Sequence, residues 1–237
     1  MEKPGSLLEL KGVRAGYGEA VVLDDVSLEV PRNGSLAVLG RNGVGKSTLL
    51  MTVMGYTRLQ AGTILFNGED ITALPPHRRA QLGIGWVAQE REIFATLSVE
   101  ENLTVAARDG FWSVPAVYYL FPRLAERRRN MGNQLSGGEQ QMLAIARALV
   151  GNPSVLLMDE PSEGLAPVIV EELARAVKRL AQAGGLALIL VEQNTRLALE
   201  IAARALVMDR GHIVYDGQSE PLRNDTERLA KLIGIVE

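Results

Sequence analysis

The chain has 237 residues and a formal charge of −3, from 25 basic and 28 acidic side chains. That length suits one large domain, or a main domain carrying a smaller insertion, and the balanced charge supplies no field for wrapping nucleic acid. The absence of cysteine excludes disulfides and thiolate metal sites and fits a reducing compartment, with cytoplasm as the default. Met1 to Leu10 lacks the basic start and long apolar core of an export signal, and no apolar run reaches the roughly 18 residues of a membrane span. Leu7 to Leu10 and Val21 to Val30 read as two short strands, with Gly16-Tyr17-Gly18 as the turn between them. An aromatic on a loop is able to stack on an adenine, although on local sequence alone Tyr17 is an ordinary turn tyrosine.

The apolar run Leu36-Ala37-Val38-Leu39 then feeds Gly40-Arg41-Asn42-Gly43-Val44-Gly45-Lys46-Ser47-Thr48. This satisfies the phosphate-loop pattern of glycine, four residues, Gly-Lys-Ser/Thr, and it leads into a helix predicted over Lys46 to Met54 that stops at Gly55. Glycines let successive N–H groups converge on one point, where the helix start adds positive potential. Strand, loop and helix in that order point to a nucleoside triphosphate, with Lys46 on its β- and γ-phosphates and the Ser47 hydroxyl on Mg²⁺.

Further along, Gly62 to Gly68 reads as a strand and turn, and Pro75-Pro76 opens a basic helix whose Arg78 and Arg79 read as a solvated face. Gly83 to Ala88 is a buried strand ending at Gln89. Residues 90 to about 150 then turn helical, over Val99 to Ala107, Pro115 to Leu124 and Ser136 to Val150, so they read as an inserted helical subdomain. Arg127-Arg128-Arg129 reads as a solvated helix end. At the start of the last helix, Leu135-Ser136-Gly137-Gly138-Glu139-Gln140 combines a capping serine with two glycines, which makes a second phosphate nest in one short chain. Val155 to Glu160 is an apolar strand ending in two carboxylates, a pattern that packing alone does not call for. Asp159 is placed to hold Mg²⁺ and Glu160 to orient or deprotonate an attacking water. A helix over Pro167 to Ala183, a strand over Leu186 to Val191 ending in Glu192-Gln193-Asn194, and a closing alternation to a last helix at about Glu227 to Ile233 complete an α/β pattern.

The phosphate loop, Gln89, the stretch 135–140 and Met158-Asp159-Glu160 stand in the order and spacing of the ATP-binding-cassette ATPases, and the chain resembles that family over nearly its full length. Phe121-Pro122-Arg123-Leu124, Ser136 to Arg147, Ser162-Glu163-Gly164-Leu165-Ala166-Pro167 and Val191-Glu192-Gln193-Asn194 are similar to the second ATPase subunit of branched-chain amino-acid importers. Arg91 to Phe94 and Val99 to Leu103 are also similar to the corresponding subunit of urea and short-amide importers. The resemblance implies a phosphate-loop ATPase core with a mainly parallel sheet, an antiparallel β subdomain at the N-terminus, and the helical subdomain inserted between core segments 1–89 and 151–237. It implies ATP and Mg²⁺ as ligands, Tyr17 on the adenine, Ser47, Gln89 and Asp159 around the metal, and Glu160, Gln89 and Gln193 in catalysis. Ser136, Gly137, Gly138 and Glu139 would act in trans, on ATP held by a paired ATPase subunit or a second copy of the chain.

Implied partners are integral membrane permeases and, indirectly, an extracytoplasmic binding protein, with the chain peripheral at the cytoplasmic face of the inner membrane. Phe94, Phe111 and Trp112 on the insertion would meet those permeases. Two positions depart from the common cassette pattern: Gln193 stands where a histidine is usual, and Ala166 where an aspartate is usual. A soluble repair or translation cassette is the rival class, but the chain lacks the long coiled coil of the first and the second cassette of the other. Intact Lys46, Asp159 and Glu160 argue against a regulatory module without turnover.

Overall fold

The computed structural model of the chain describes residues 5–234. β1 (Ser6–Tyr17) and β2 (Ala20–Pro31) form a long antiparallel hairpin, and β4 (Arg58–Phe66) with β5 (Glu69–Asp70) extends it to a four-stranded sheet ordered β2-β1-β4-β5. The hairpin turns at Gly18-Glu19, so Tyr17 ends β1 opposite Ala20 and is not itself in the turn.

The second sheet has the order β10-β9-β3-β8-β7-β6. β3 (Ser35–Leu39), β6 (Ile84–Val87), β7 (Val155–Asp159), β8 (Ala187–Val191) and β9 (Arg204–Asp209) run parallel, and β10 (His212–Gln218) closes one edge antiparallel to β9. Because successive strand side chains point to opposite faces, each central strand feeds two cores. Leu36 and Val38 of β3, with Val155 and Leu157 of β7, pack toward the antiparallel sheet and α1 (Lys46–Met54). Ala37 and Leu39, with Leu156 and Met158, pack toward the helices on the other face.

Between β6 and β7 lie α3 (Val99–Thr104), α4 (Val114–Leu120), α5 (Pro122–Glu126) and α6 (Gly137–Val150). The single helix expected over Pro115 to Leu124 is two, because Pro122 cannot continue the hydrogen-bond ladder and Phe121 leaves helical geometry at φ −125° and ψ 77°. α7 (Pro167–Gln182) follows β7, α8 (Thr195–Ile201) follows β8, and α9 (Ser219–Asn224) with α10 (Thr226–Leu232) ends the described chain.

Arg79, on α2 (Pro76–Gln81), is not a solvated residue. Only 3% exposed, its guanidinium donates to the carbonyls of Thr52, Val53, Thr72 and Leu74 at 2.8–2.9 Å. Two of these are last-turn carbonyls of α1, of which Thr52 also accepts from the Gly55 N–H at 3.1 Å. A buried arginine is tolerable here because four of its five N–H donors meet carbonyl oxygens. Arg79→Ala removes four hydrogen bonds to these carbonyls, and a loss of about 2–4 kcal/mol is expected in urea unfolding, with the m-value unchanged.

Candidate active site

The chemistry gathers at the carboxyl ends of the parallel strands, where an open α/β sheet places its ligands. β3 runs into the phosphate loop, β7 ends in Asp159 with Glu160 next, Gln193 lies two residues past β8, and Gln89 two residues past β6. Asn42, Gly43 and Gly45 to Thr48 of the loop, with Gln89, Glu160, Glu163 and Gln193, line one cavity of about 310 Å³. Four separate stretches of sequence are thereby brought together.

Backbone geometry fixes the loop. Gly40, with φ 148°, lies so close to the adjacent strand that a Cβ there would come 2.5 Å from the Met208 carbonyl oxygen. Gly45 caps α1 with φ 109°, in the left-handed region that favours glycine. The loop is tied down from outside, since the Gly211 N–H donates to the Val44 carbonyl at 2.9 Å.

Lys46 is 4% exposed; its Nζ donates to the carbonyls of Gly40 and Arg41, both at 3.1 Å, and stands 3.5 Å from Glu160 Oε1. Glu160, 7% exposed and itself at φ 45°, accepts on its other oxygen from the Gln193 amide nitrogen. A positive φ at a non-glycine residue is a strained placement, here held by the Glu160 N–H on the Val191 carbonyl at 2.9 Å. The Ser47 hydroxyl donates to Asp159 Oδ1 at 2.9 Å. Burial raises the Asp159 carboxyl to about 6, against the hydrogen bond from Ser47, and the charge of Glu160 adds to the rise.

Ser47 and Asp159 thus offer two hard oxygen donors in contact, with Gln89 on the same cavity. Among the described residues no group of three or more His, Cys, Asp or Glu side chains forms a metal cage. That donor set fits Mg²⁺, which takes one or two protein oxygens and fills its shell with waters and substrate phosphates.

Not every expected residue lines the cavity. Tyr17 is outside it, half exposed, with its hydroxyl on Met51 Sδ at 3.0 Å, in the second turn of α1. Ser136 to Glu139 are also outside it. They form a capping box on α6: Ser136 Oγ accepts from the Glu139 N–H at 3.4 Å, while Glu139 Oε2 accepts from the Ser136 N–H and hydroxyl, each at 2.8 Å.

Two participants had no role in the sequence reading. Glu163 lines the cavity and accepts a hydrogen bond from the Gln89 amide nitrogen. Glu192, 2% exposed and raised above the usual carboxylate range by burial, accepts from the Ser162 N–H at 3.0 Å. A third acid four residues beyond Asp159, in a stretch that otherwise reads as a turn, was the available signal for Glu163.

Comparison with known proteins agrees with this geometry. A family model described as ABC transporter matches residues 23–163. The high-affinity branched-chain amino acid transport ATP-binding protein BraG of Pseudomonas aeruginosa is 41% identical over 96% of this chain and 100% of its own length. The lipopolysaccharide export system ATP-binding protein LptB of Haemophilus influenzae is 36% identical over 94% of this chain and 95% of its own. A crystal structure of a nucleotide-free ATP-binding cassette from an ABC transporter superposes with a TM-score of 0.82 at 26% identity, covering 98% of this chain and 100% of that one. The match from residue 23 to 163 takes in the phosphate loop, Gln89, the α6 cap and the acids ending β7, and the chain belongs to the ABC transporter family, as an ATPase.

Proposed function

We propose that this chain is the ATP-hydrolysing subunit of an importer of branched-chain or related amino acids, working as an ATP-sandwich dimer at the cytoplasmic face of the inner membrane. The cavity at the sheet edge carries the ATPase part. There Lys46 meets the triphosphate, and Ser47 and Asp159 would hold Mg²⁺, which would supply positive charge against the phosphate oxygens. Glu160 accepts the proton of the attacking water, since its Oε2 already takes an amide hydrogen and is free to take another donor. Gln193 keeps that carboxylate in place through one amide hydrogen and has a second for the γ-phosphate. With no titrating proton near neutrality, Gln193 leaves base chemistry to Glu160. Tyr17, adjacent to α1, stacks on the adenine.

The α6 cap supports the dimer. Its exposed start lies outside the chain's own cavity, so a phosphate bound there must come with another chain. Ser136→Arg is expected to abolish ATP-driven dimerisation in gel filtration and to spoil hydrolysis, with monomer nucleotide affinity within about twofold of wild type. Collapse of the monomer's affinity as well would assign the cap to the chain's own site.

Exposed aromatics on the insertion support the permease contact. Phe94 is 48% and Phe111 75% exposed, whereas Trp112 packs edge-on against Phe111 and into the core. Tyr119, at 86%, adds a surface aromatic that the sequence reading omitted. Among the described residues no helix is long and apolar enough to cross a membrane. The higher identity to BraG than to LptB favours amino-acid import over export. The deciding experiment reconstitutes the chain with its permeases and binding protein in vesicles. ATPase stimulation by leucine, isoleucine or valine supports the reading; stimulation by urea or a short amide alone transfers the chain to that related importer.

A further inference from the structure

Gln89 and Glu163 are 74 positions apart in sequence, yet the Gln89 amide nitrogen donates to Glu163 Oε2 at the mouth of the cavity. An ionised carboxylate only accepts hydrogen bonds, so a glutamine facing it must present nitrogen and leave its carbonyl oxygen as the free polar atom. Oxygen is the atom a hard divalent cation takes and nitrogen the one it refuses. The turn carrying Glu163 is itself braced: its N–H donates to the Glu160 carbonyl at 3.0 Å, and the preceding Ser162 N–H donates to the buried carboxylate of Glu192 at 3.0 Å. Glu163 is therefore placed by two anchors, although its own side chain is exposed.

We propose that Glu163 is a positioning residue for metal-nucleotide recognition, setting the sense of the Gln89 amide so that its carbonyl oxygen faces the Ser47 and Asp159 donors. This rests on the reading of Gln89 as a residue that meets the metal. Glu163 acts chiefly through Gln89, its charge adding only the smallest share of the rise at Asp159, and an exposed pair of this kind has little effect on stability. Its effect belongs to the part of nucleotide binding that depends on the ion, where residues that orient a ligand typically contribute about 10- to 100-fold.

The test is nucleotide titration of the full chain with ATP, once in Mg²⁺ and once in EDTA, so no turnover enters the readout. Glu163→Ala is expected to weaken Mg-ATP binding about tenfold and to leave metal-free ATP binding within about twofold. Glu163→Gln accepts the amide hydrogen through its carbonyl but can also donate, so it no longer forces the sense of the Gln89 amide and should recover only part of the loss. Gln89→Ala should match Glu163→Ala in direction, and the double variant should bind no worse than Gln89→Ala alone. Additive losses, or equal losses with and without Mg²⁺, would overturn the inference. If Gln89→Ala leaves the Mg²⁺ dependence unchanged, the reading of Gln89 fails first. If Gln89→Ala shows the loss and Glu163→Ala does not, only the role of Glu163 fails.

Discussion

Glu160→Gln is expected to lower ATP turnover by about 10² or more while leaving nucleotide binding intact. In the structure Glu160 is nearly buried, its Oε1 stands 3.5 Å from the Lys46 ammonium and its Oε2 takes the Gln193 amide. Glutamine keeps the volume and one acceptor but offers no oxygen basic enough to receive a proton from water. It also removes the carboxylate 3.5 Å from the Lys46 ammonium, and the triphosphate would then take over that role. Binding should therefore hold or improve while chemistry slows, and an ATP-dependent dimer should accumulate in gel filtration. Steady-state phosphate release alongside ATP titration separates the two effects. Wild-type turnover in the variant would remove Glu160 from the proton step and leave water positioning to Gln193.

The ingredients of this site differ in how far local sequence reveals them. The phosphate loop is legible because glycine spacing, lysine and hydroxyl are contiguous and the backbone itself is the binding element, so the helix from Lys46 to Met54 with its stop at Gly55 emerges as expected. Asp159 and Glu160 are legible because two acids ending an apolar strand have no packing purpose. Arg79 was misread for the opposite reason: its partners are carbonyls at 52, 53, 72 and 74, and a charge satisfied by backbone oxygens leaves no local pattern. The same limit hid the Gln89 to Glu163 contact, which exists only once β6 and β7 lie side by side. Pro122 is visible in the sequence, and a proline near the end of the periodic stretch from Pro115 to Leu124 outranks the periodicity. The short hydrophobic runs that marked β1 and β2 underestimated both strands, because pairing across the hairpin extends through residues with no apolar signal of their own.

Asp159→Asn is expected to stabilise the nucleotide-free protein while abolishing metal-supported turnover. Burial holds the Asp159 carboxyl near 6 in the folded chain, above the ordinary 3.8. A carboxyl raised on folding costs stability whenever it is ionised, so the cost is complete above about pH 6, fades as pH falls toward 3.8, and is absent below that. This is the reverse of a salt-bridged acid, which loses stability on acidification. A rise of about two units corresponds to at most about 3 kcal/mol, so a gain of about 1–3 kcal/mol is expected for asparagine at pH 7 to 8. Asparagine still accepts the Ser47 hydroxyl through its carbonyl oxygen, so that contact need not be lost. The variant should therefore melt higher than wild type at neutral pH, by roughly 2–4 °C per kcal/mol, and converge with it near pH 4. Mg-ATP affinity of the wild type should fall as pH drops through about 6, because a proton then competes with the ion for the same oxygens, while metal-free ATP binding falls less. Thermal melts of both proteins from pH 4 to 8 without nucleotide check the first claim, and a melting difference constant across that range would mean that no ionised carboxylate is being held out of water at position 159. If the difference narrows on acidification as expected, the charge at the end of β7 is kept at the expense of the apo fold, and the Mg²⁺ it is placed to hold supplies the compensation when ATP arrives.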